Sequence, residues 1–406
     1  METIEEKIEH YQRLVERDMM RKGALICHNR NSLNGSNNAS EEMRASLIAN
    51  LQDITPIQSG VKYIEEETQA NQNITKSERE ITCSLVSFEN IMSVSKQATL
   101  NGHSHFISSL ACYEMKNKTY LASGSYDCTI KLWCLNPEAL HKTLVGHKMP
   151  VTSIVKFENH VAPFLASASE DKIIKIWNLS TNNCTITLGG HSGPIYDLVA
   201  FNDKDDRTYL GSCSKGGSIN IWDIDNCSII TNVVAHKRGV YALAFYVING
   251  TPCLASAGYS TMIVEWRKLD TSWEDLKNMG TIETDHHSPI QKLVSYEIDD
   301  SVYLASGSYD KKIKIWDMEH HSLVATLAGH ESCVRSLVVL VHSGSPCLIS
   351  GDSNGSVKMW DLSNYSLLKT ISNSSNGAVH SLSTMIVDGK PTLAVGFDEV
   401  IELWSE

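Results

Sequence analysis

Tyr303-Leu-Ala-Ser-Gly-Ser308, a polar turn, then Lys312-Ile-Lys-Ile-Trp316 make up the stretch on which the fold turns. Its last five residues alternate polar and apolar up to the tryptophan, the period-2 pattern of a strand with one buried face. The run before the turn also reads as a strand. The same phrase returns at Tyr120-Leu-Ala-Ser-Gly-Ser125 and Thr129-Ile-Lys-Leu-Trp133. Its tryptophan recurs at Trp133, Trp177, Trp222, Trp266, Trp316, Trp360 and Trp404, at intervals of 44, 45, 44, 50, 44 and 44 residues. A fixed period in the forties marks a stacked or ring-shaped repeat fold. It also moves the search for function from a catalytic pocket to a surface.

The units agree beyond the tryptophan. A histidine opens six of them: His103, His147, His191, His236, His286 and His330. A β-branched residue follows each by four positions: Ile107, Val151, Ile195, Val240, Ile290 and Val334. The seventh keeps Val379 but has Ser375 in the histidine place. Each unit holds four short strands and no long helix.

From about residue 88 to Glu406 the chain resembles the WD-repeat family, whose tryptophan–aspartate repeats build β-propellers. Gly-His opens repeats at Gly102-His103, Gly146-His147, Gly190-His191 and Gly329-His330, and Trp-Asp closes them at Trp222-Asp223, Trp316-Asp317 and Trp360-Asp361. Cys134, Asn178, Arg267 and Ser405 stand after the other tryptophans. The resemblance implies an all-β, seven-bladed propeller of four-stranded blades. It also implies a buried network in each blade, in which Asp holds His, His reaches Ser or Thr, and that hydroxyl meets the indole N–H. Buried polar atoms need partners, and a complete network stiffens its blade. Carried over by position, the network is complete in His103/Ser123/Asp127/Trp133, His147/Ser167/Asp171/Trp177 and His286/Ser306/Asp310/Trp316. The third, fourth and sixth repeats have Gly216, Ser260 and Asn354 at the Asp position. The seventh has Ser375 and Val395 in place of His and Ser but keeps Asp398 and Trp404. These incomplete blades, the seventh above all, are expected to open first. Repetition argues against reading His, Asp and Ser as a catalytic triad, since a chain needs one active site rather than several near-copies.

The last repeat ends two residues past Trp404, without room for a fourth strand, whereas Ile91 to Leu100 is surplus before the first. That segment is expected to pair with the last blade and close the ring, hiding edges that would otherwise recruit other chains.

The chain of 406 residues is long enough for one propeller and an extension. A net charge of −12 with no Lys/Arg block disfavours general nucleic-acid or anionic-membrane binding. No apolar run is long enough to span a membrane, and the acidic start lacks the pattern of a secretory signal. Sequons such as Asn117-Lys-Thr and Asn364-Tyr-Ser therefore carry no weight. Eleven cysteines, an odd number without a Cys-x-x-Cys pair, fit free thiols in a reducing compartment. An intracellular protein is expected, in the cytoplasm or the nucleus. His286-His287 and His320-His321 lack the further ligands a metal site needs, so no metal or other cofactor is expected.

Residues 1–87 do not repeat. Ile4, Ile8, Tyr11, Val15 and Met19 recur at helical spacing, predicting an amphipathic helix over about 3–22, ended by Gly23. Asn29 to Ser40 reads as a flexible linker, and Glu41 to Leu51 as a second short helix. The first helix either docks on a helical or grooved partner or packs on the propeller's own flank. The extension is expected to be partly helical or disordered.

The resemblance further implies that proteins or peptides bind the face carrying the His loops and Asp turns. Two positions per blade point to its mouth. The first, in chain order, is Ser108, Thr152, Tyr196, Tyr241, Gln291, Arg335 and His380; the second is Tyr126, Glu170, Lys215, Tyr259, Tyr309, Ser353 and Phe397. Tyrosine and arginine dominate interface hot spots. Tyr126, Tyr196, Tyr241, Tyr259, Tyr309, Arg335 and Phe397 are the candidate partner-contacting residues, with Arg335 able to fork onto a carboxylate or phosphate. The stretched interval adds Trp273, either an exposed anchor or a side chain packed over its loop.

The leading function is a non-catalytic interaction scaffold or adaptor. The alternative is the substrate-recognition subunit of a ubiquitin-ligase-type complex. Cys27 and Cys83 alone before residue 88 cannot form a RING domain, and no F-box pattern is evident. No phosphate loop, nucleophile elbow or metal motif supports an enzyme.

Overall fold

A computed structural model describes residues 94–405 apart from 159–161, 203–206, 269–272, 274–275, 343–344 and 374–376. The helix expected over 3–22, the linker over 29–40 and the boundary near residue 88 lie outside the described residues, as does Ser375. The described part belongs to a unit spanning Cys83–Glu406. It consists of 28 strands, β1 to β28 in chain order, with no helix among the described residues.

The strands form seven four-stranded sheets, six of them built from consecutive strands. The seventh joins β1 (Ser95–Asn101) to β26 (Ser381–Val387), β27 (Lys390–Gly396) and β28 (Val400–Ser405) in the order β1-β28-β27-β26. The expected closure is present. β1 runs antiparallel to β28, with Leu100 opposite Ile401 and Lys96 opposite Trp404. The segment before the first repeat thus completes the last blade and occupies what would be an open edge. Lys96 Nζ adds an ion pair to the buried Glu402 at 3.2 Å.

In the first six blades the innermost strand starts at the β-branched residue, as in β2 (Ile107–Met115) and β6 (Val151–Glu158). Those side chains are buried in the seams between blades. The glycine of the Ser-Gly-Ser phrase serves the same packing. A Cβ on Gly124 would stand 2.8 Å from Val151 Cγ1, and one on Gly307 2.8 Å from Val334 Cγ1. Only glycine lets the next blade approach this closely. Cross-strand aromatic pairs reinforce several blades, Tyr113 on Tyr120 at 5.2 Å and Tyr296 on Tyr303 at 5.5 Å.

The three networks expected to be complete are so. In the fifth blade His286 Nδ1 lies 2.7 Å from Asp310, Nε2 lies 2.9 Å from Ser306 Oγ, and the Trp316 indole N–H donates to that hydroxyl at 2.9 Å. With the proton on Nδ1, the imidazole donates to the carboxylate and accepts from the serine. In the first blade His103 lies 2.7 Å from both Asp127 and Ser123 Oγ, and the Trp133 N–H donates to Ser123 at 2.8 Å. In the second His147 lies 2.9 Å from Asp171 and 2.8 Å from Ser167 Oγ, which accepts the Trp177 N–H at 2.9 Å. Ser123, Ser167 and Ser306 are fully buried, so no partner or substrate can reach their hydroxyls. Each serves only the inside of its blade, and none is a binding or nucleophilic group of the surface.

The sixth blade corrects the sequence reading. Asn354 holds the expected Asp position, yet His330 Nδ1 meets Asp352 at 2.8 Å. Asp352 sits at the end of the second strand, where Ser125, Ser169 and Ser308 stand in other blades, and its carboxylate reaches the imidazole from there. It also accepts the Asn354 and Ser356 backbone N–H groups at 2.9 and 3.0 Å. In the fourth blade Ser260 takes the carboxylate's place, 2.7 Å from His236 Nδ1. The third has only the Ser218 hydroxyl there, at 3.3 Å from His191. Burial with no carboxylate beside it pushes the His191 pKa down to about 4. In the seventh, Val395 is fully buried in the serine place, and the Trp404 indole N–H is buried without a protein partner among the described residues.

Candidate functional site

The innermost strands surround a central channel of about 940 Å³. At its waist, polar clasps join the first four blades to one another. Ser109 Oγ accepts the Ile154 backbone N–H at 3.1 Å, Ser153 Oγ accepts that of Leu198 at 3.3 Å, and Asp197 accepts that of Leu243 at 3.1 Å. The small Ala242 in the fourth blade separates Asp197 from Lys292 of the fifth along the ring. Lys292 Nζ nevertheless reaches both Asp197 oxygens, at 3.0 and 3.1 Å. These two opposite charges cancel.

Above the waist the ring becomes asymmetric. Ser108 and Thr152 turn their hydroxyls to the wall, donating to the Val151 and Ile195 carbonyls at 2.6 and 2.7 Å. At the same position the third and fourth blades present Tyr196 and Tyr241, edge to face with ring centroids 5.3 Å apart. The sixth presents Arg335. Its Nε–H donates to Ser353 Oγ at 2.6 Å and its guanidinium carbon lies 5.9 Å from the Tyr309 ring centre. Arg335 has no carboxylate partner among the described residues, so its two terminal amino groups remain for a ligand. Tyr126, Tyr196, Tyr241, Tyr309 and Arg335 all line the one channel. Burial first, and neighbouring ionisable groups second, raise the Tyr126 and Tyr196 pKa values, the latter to about 12. Burial also raises that of Tyr241. All three are protonated near neutrality and able to donate.

Two candidate residues lie elsewhere. Tyr259 is half exposed on the rim, with the Arg238 guanidinium 4.5 Å above its ring. Phe397 is fully buried in the seventh-blade core and does not face the mouth. The turn explains this. In the first six blades the residue before the Asp position donates its N–H back to the preceding loop, as Tyr126 does to Phe106 and Tyr309 to Pro289. Phe397 instead donates to Val400 within its own hairpin, at 2.9 Å.

Phe106 was not foreseen. It is partly exposed, lines the channel, stacks on His380 at 4.8 Å and lies 5.8 Å from Tyr126. A sequence signal existed, since Pro150, Pro194 and Pro289 stand at this position in other repeats. His380 Nε2 in turn bonds Asp398 at 2.8 Å, so the carboxylate expected to serve the seventh blade's network faces the mouth. Desolvation, partly opposed by that bond, lowers the His380 pKa.

Trp273 is buried, 4.7 Å from Phe201 and 6.1 Å from Tyr209, so it is not the exposed anchor of its first reading. His320 pairs with Asp317 at 2.9 Å and His321 with the buried Glu265, which also holds Arg267 at 2.6 Å. Among the described residues no group of three or more His, Cys, Asp or Glu is placed to hold a metal, and no helix is long and apolar enough to cross a membrane.

Seven four-stranded blades around a polar channel define a β-propeller. The family model for the WD domain, G-beta repeat, matches residues 94–134, 139–178, 182–223, 281–317 and 321–361, and the chain belongs to the WD-repeat family. The fourth and seventh blades, which the model leaves unmatched, are supplied by the structure. Myosin heavy chain kinase C of Dictyostelium discoideum is 29% identical over 125 residues, 31% of this chain and 14% of that protein. The ribosome biogenesis protein WDR12 homolog of Nematostella vectensis is 29% identical over 127 residues, 31% of this chain and 29% of that protein. The chain thus matches less than a third of either relative's length. The crystal structure of the WD40 β-propeller domain of Doa1 superposes with a TM-score of 0.64 at 22% identity, covering 77% of this chain and 97% of that one. That likeness is one of fold. Such propellers typically act as non-catalytic interaction scaffolds.

Proposed function

We propose that this protein is an interaction scaffold or adaptor that engages a protein or peptide partner at the mouth of its channel. The observation that carries this is the convergence of Tyr126, Tyr196, Tyr241, Tyr309 and Arg335 on one opening of a closed ring. Tyrosine and arginine give large contact area and directional hydrogen bonds at little entropic cost, the chemistry of binding hot spots. A ring closed between its first and last strands holds these side chains in place before the partner arrives, which lowers the ordering cost of binding.

The likeness to a protein named for ribosome biogenesis supports the nucleus as one site of action. The named activity of the kinase relative is not carried over, because the matched segment is a small part of that protein. Affinity co-purification of the full chain from native lysate tests the reading. A folded Tyr241→Glu/Arg335→Glu double variant is expected to lose partners that the wild type retains. Partners retained by the variant would move recognition away from the mouth.

A further inference from the structure

The chain's net charge of −12 is not shared by the loops around the mouth. In the second to fourth blades these loops carry Lys148, Lys172, Lys215, Lys237 and Arg238, all exposed. None of the five is ion-paired among the described residues. The carboxylates on the same loops are Asp171, held by His147 at 2.9 Å and by the Lys148 backbone N–H at 3.0 Å, and Glu170, which is only half-buried. Across the mouth the charge pattern differs. The loops of the fifth to seventh blades expose both signs, Asp285, Glu331 and Glu399 with Lys311 and Lys312; inside the channel Asp398 is bonded to His380 and Asp197 to Lys292, whereas Arg335 has two free amino groups.

Resting on the reading of the mouth as the recognition surface, we infer that the partner's contacting segment is acidic. An extended peptide places one oxyanion, carboxylate or phosphate, on the Arg335 fork and its other acidic groups along the cationic arc of the second to fourth blades. Guanidinium is the side chain suited to such a group, because two parallel N–H donors match two oxygens. The hydroxyls of Tyr126, Tyr196 and Tyr241, which line the channel, can donate to the same oxyanion. Tyr196, Tyr241 and Phe106 offer faces to an apolar residue beside it. Arg238, already stacked on Tyr259, is held at the rim where the segment leaves.

The same surface favours a short acidic peptide over nucleic acid. The field of five surface cations extends about 8 Å at physiological salt, enough for a peptide crossing the mouth. A long polyanion would also feel the protein's overall negative charge.

The test is fluorescence anisotropy of the full chain against four labelled probes. These are a peptide alternating Glu and Leu, its phosphoserine counterpart, its Lys counterpart, and an oligothymidylate. At least one acidic peptide should bind, more weakly as salt rises, and the preferred one tells carboxylate from phosphate. Arg335→Gln should weaken that binding by about tenfold, as should the surface reversal Lys215→Glu/Arg238→Glu. The reversal touches no buried group and protects the result against misfolding, with melting curves as the check. Failure of both acidic peptides to bind overturns the inference, as does equal binding of the Lys peptide, preference for oligothymidylate, or unchanged binding by both variants. An uncharged Tyr196→Ala/Tyr241→Ala variant separates the two levels of the reading. If it alone loses native partners in co-purification, the mouth stands and the acidic inference falls. If neither it nor the cationic variants lose partners, both fall.

Discussion

The fifth and seventh blades carry the same tryptophan at the same point of the third strand, but their polar neighbours differ. In the fifth, Trp316 donates to Ser306, Ser306 faces His286, and His286 is held by Asp310, with every link between 2.7 and 2.9 Å. In the seventh, Val395 replaces the serine and the Trp404 N–H has no protein partner among the described residues. Its aspartate, Asp398, bonds His380 beside the channel instead. The seventh blade therefore lacks the internal clasp and adds a polar pair, together with the Phe106 stack, to the mouth. It is held instead by its pairing with β1, which joins the two ends of the ring. The same repeat can be specialised for rigidity in one blade and for surface chemistry in another.

The largest effect that can break this comparison is loss of the closing strand. Deleting residues 88–101 removes the β1–β28 pairing and exposes an edge. The melting temperature of the whole ring should collapse, a loss comparable with the roughly 5–15 kcal/mol that holds a domain folded. Unchanged thermal stability would mean that the seventh blade stands without its borrowed strand. Next comes Ser306→Ala, which strips a buried partner from both Trp316 and His286. Chemical denaturation should show about 2–4 kcal/mol of destabilisation. Ser123→Ala and Ser167→Ala, in the same buried setting, should cost about as much.

The pH dependence separates blades by their histidine partner. The folded pKa of His191 is depressed to about 4 from 6.5, so the unfolded chain binds more protons between those values. Its contribution is present above pH 6.5 and is lost as pH falls through about 4. Burial opposes the ionised form of Asp310, but the His286 hydrogen bond and charge and the Lys312 and His287 N–H groups outweigh it, giving a pKa near 2. Its stabilisation is present above 3.8 and is lost as pH falls through about 2. Denaturation against pH should show two separate declines, and His191→Gln should flatten only the upper one, by on the order of 2–3 kcal/mol. A single decline unaffected by that change would contradict the assignment. The smallest effect is a repair. Val395→Thr keeps a methyl group and offers Trp404 a hydroxyl, and should raise stability by about 0.5–1 kcal/mol. A loss instead would show that the valine's packing outweighs the missing hydrogen bond.

The repeat, the closure and the complete blades were legible because each is a local pattern copied at a fixed interval. Ser123 and Ser167 could be placed in their networks because the resemblance to the WD-repeat family gives that role to the residue at their position, and each stands twenty residues after its histidine and ten before its tryptophan. Misreadings arose where a substitution is compensated from a neighbouring position. Asp352 does from the strand end what Asn354 cannot do from the turn. Phe397 occupies the right place in the alignment, but one backbone hydrogen bond within its hairpin sends it to the core. Phe106 was legible as an aromatic among prolines, though its value appears only when His380 of another blade is seen beneath it. Trp273 could not be placed from sequence because its neighbours, Phe201 and Tyr209, come from the third blade.

The most direct measurement is hydrogen exchange on the full chain, free and bound to the partner captured by co-purification. In the free protein, seventh-blade strands should exchange before those of the fifth. On binding, new protection should concentrate in the loops around Phe106, Arg238, Arg335 and His380 and at Tyr196 and Tyr241. Protection confined to the outer strands or the opposite face, with the mouth exchanging as before, would contradict the account.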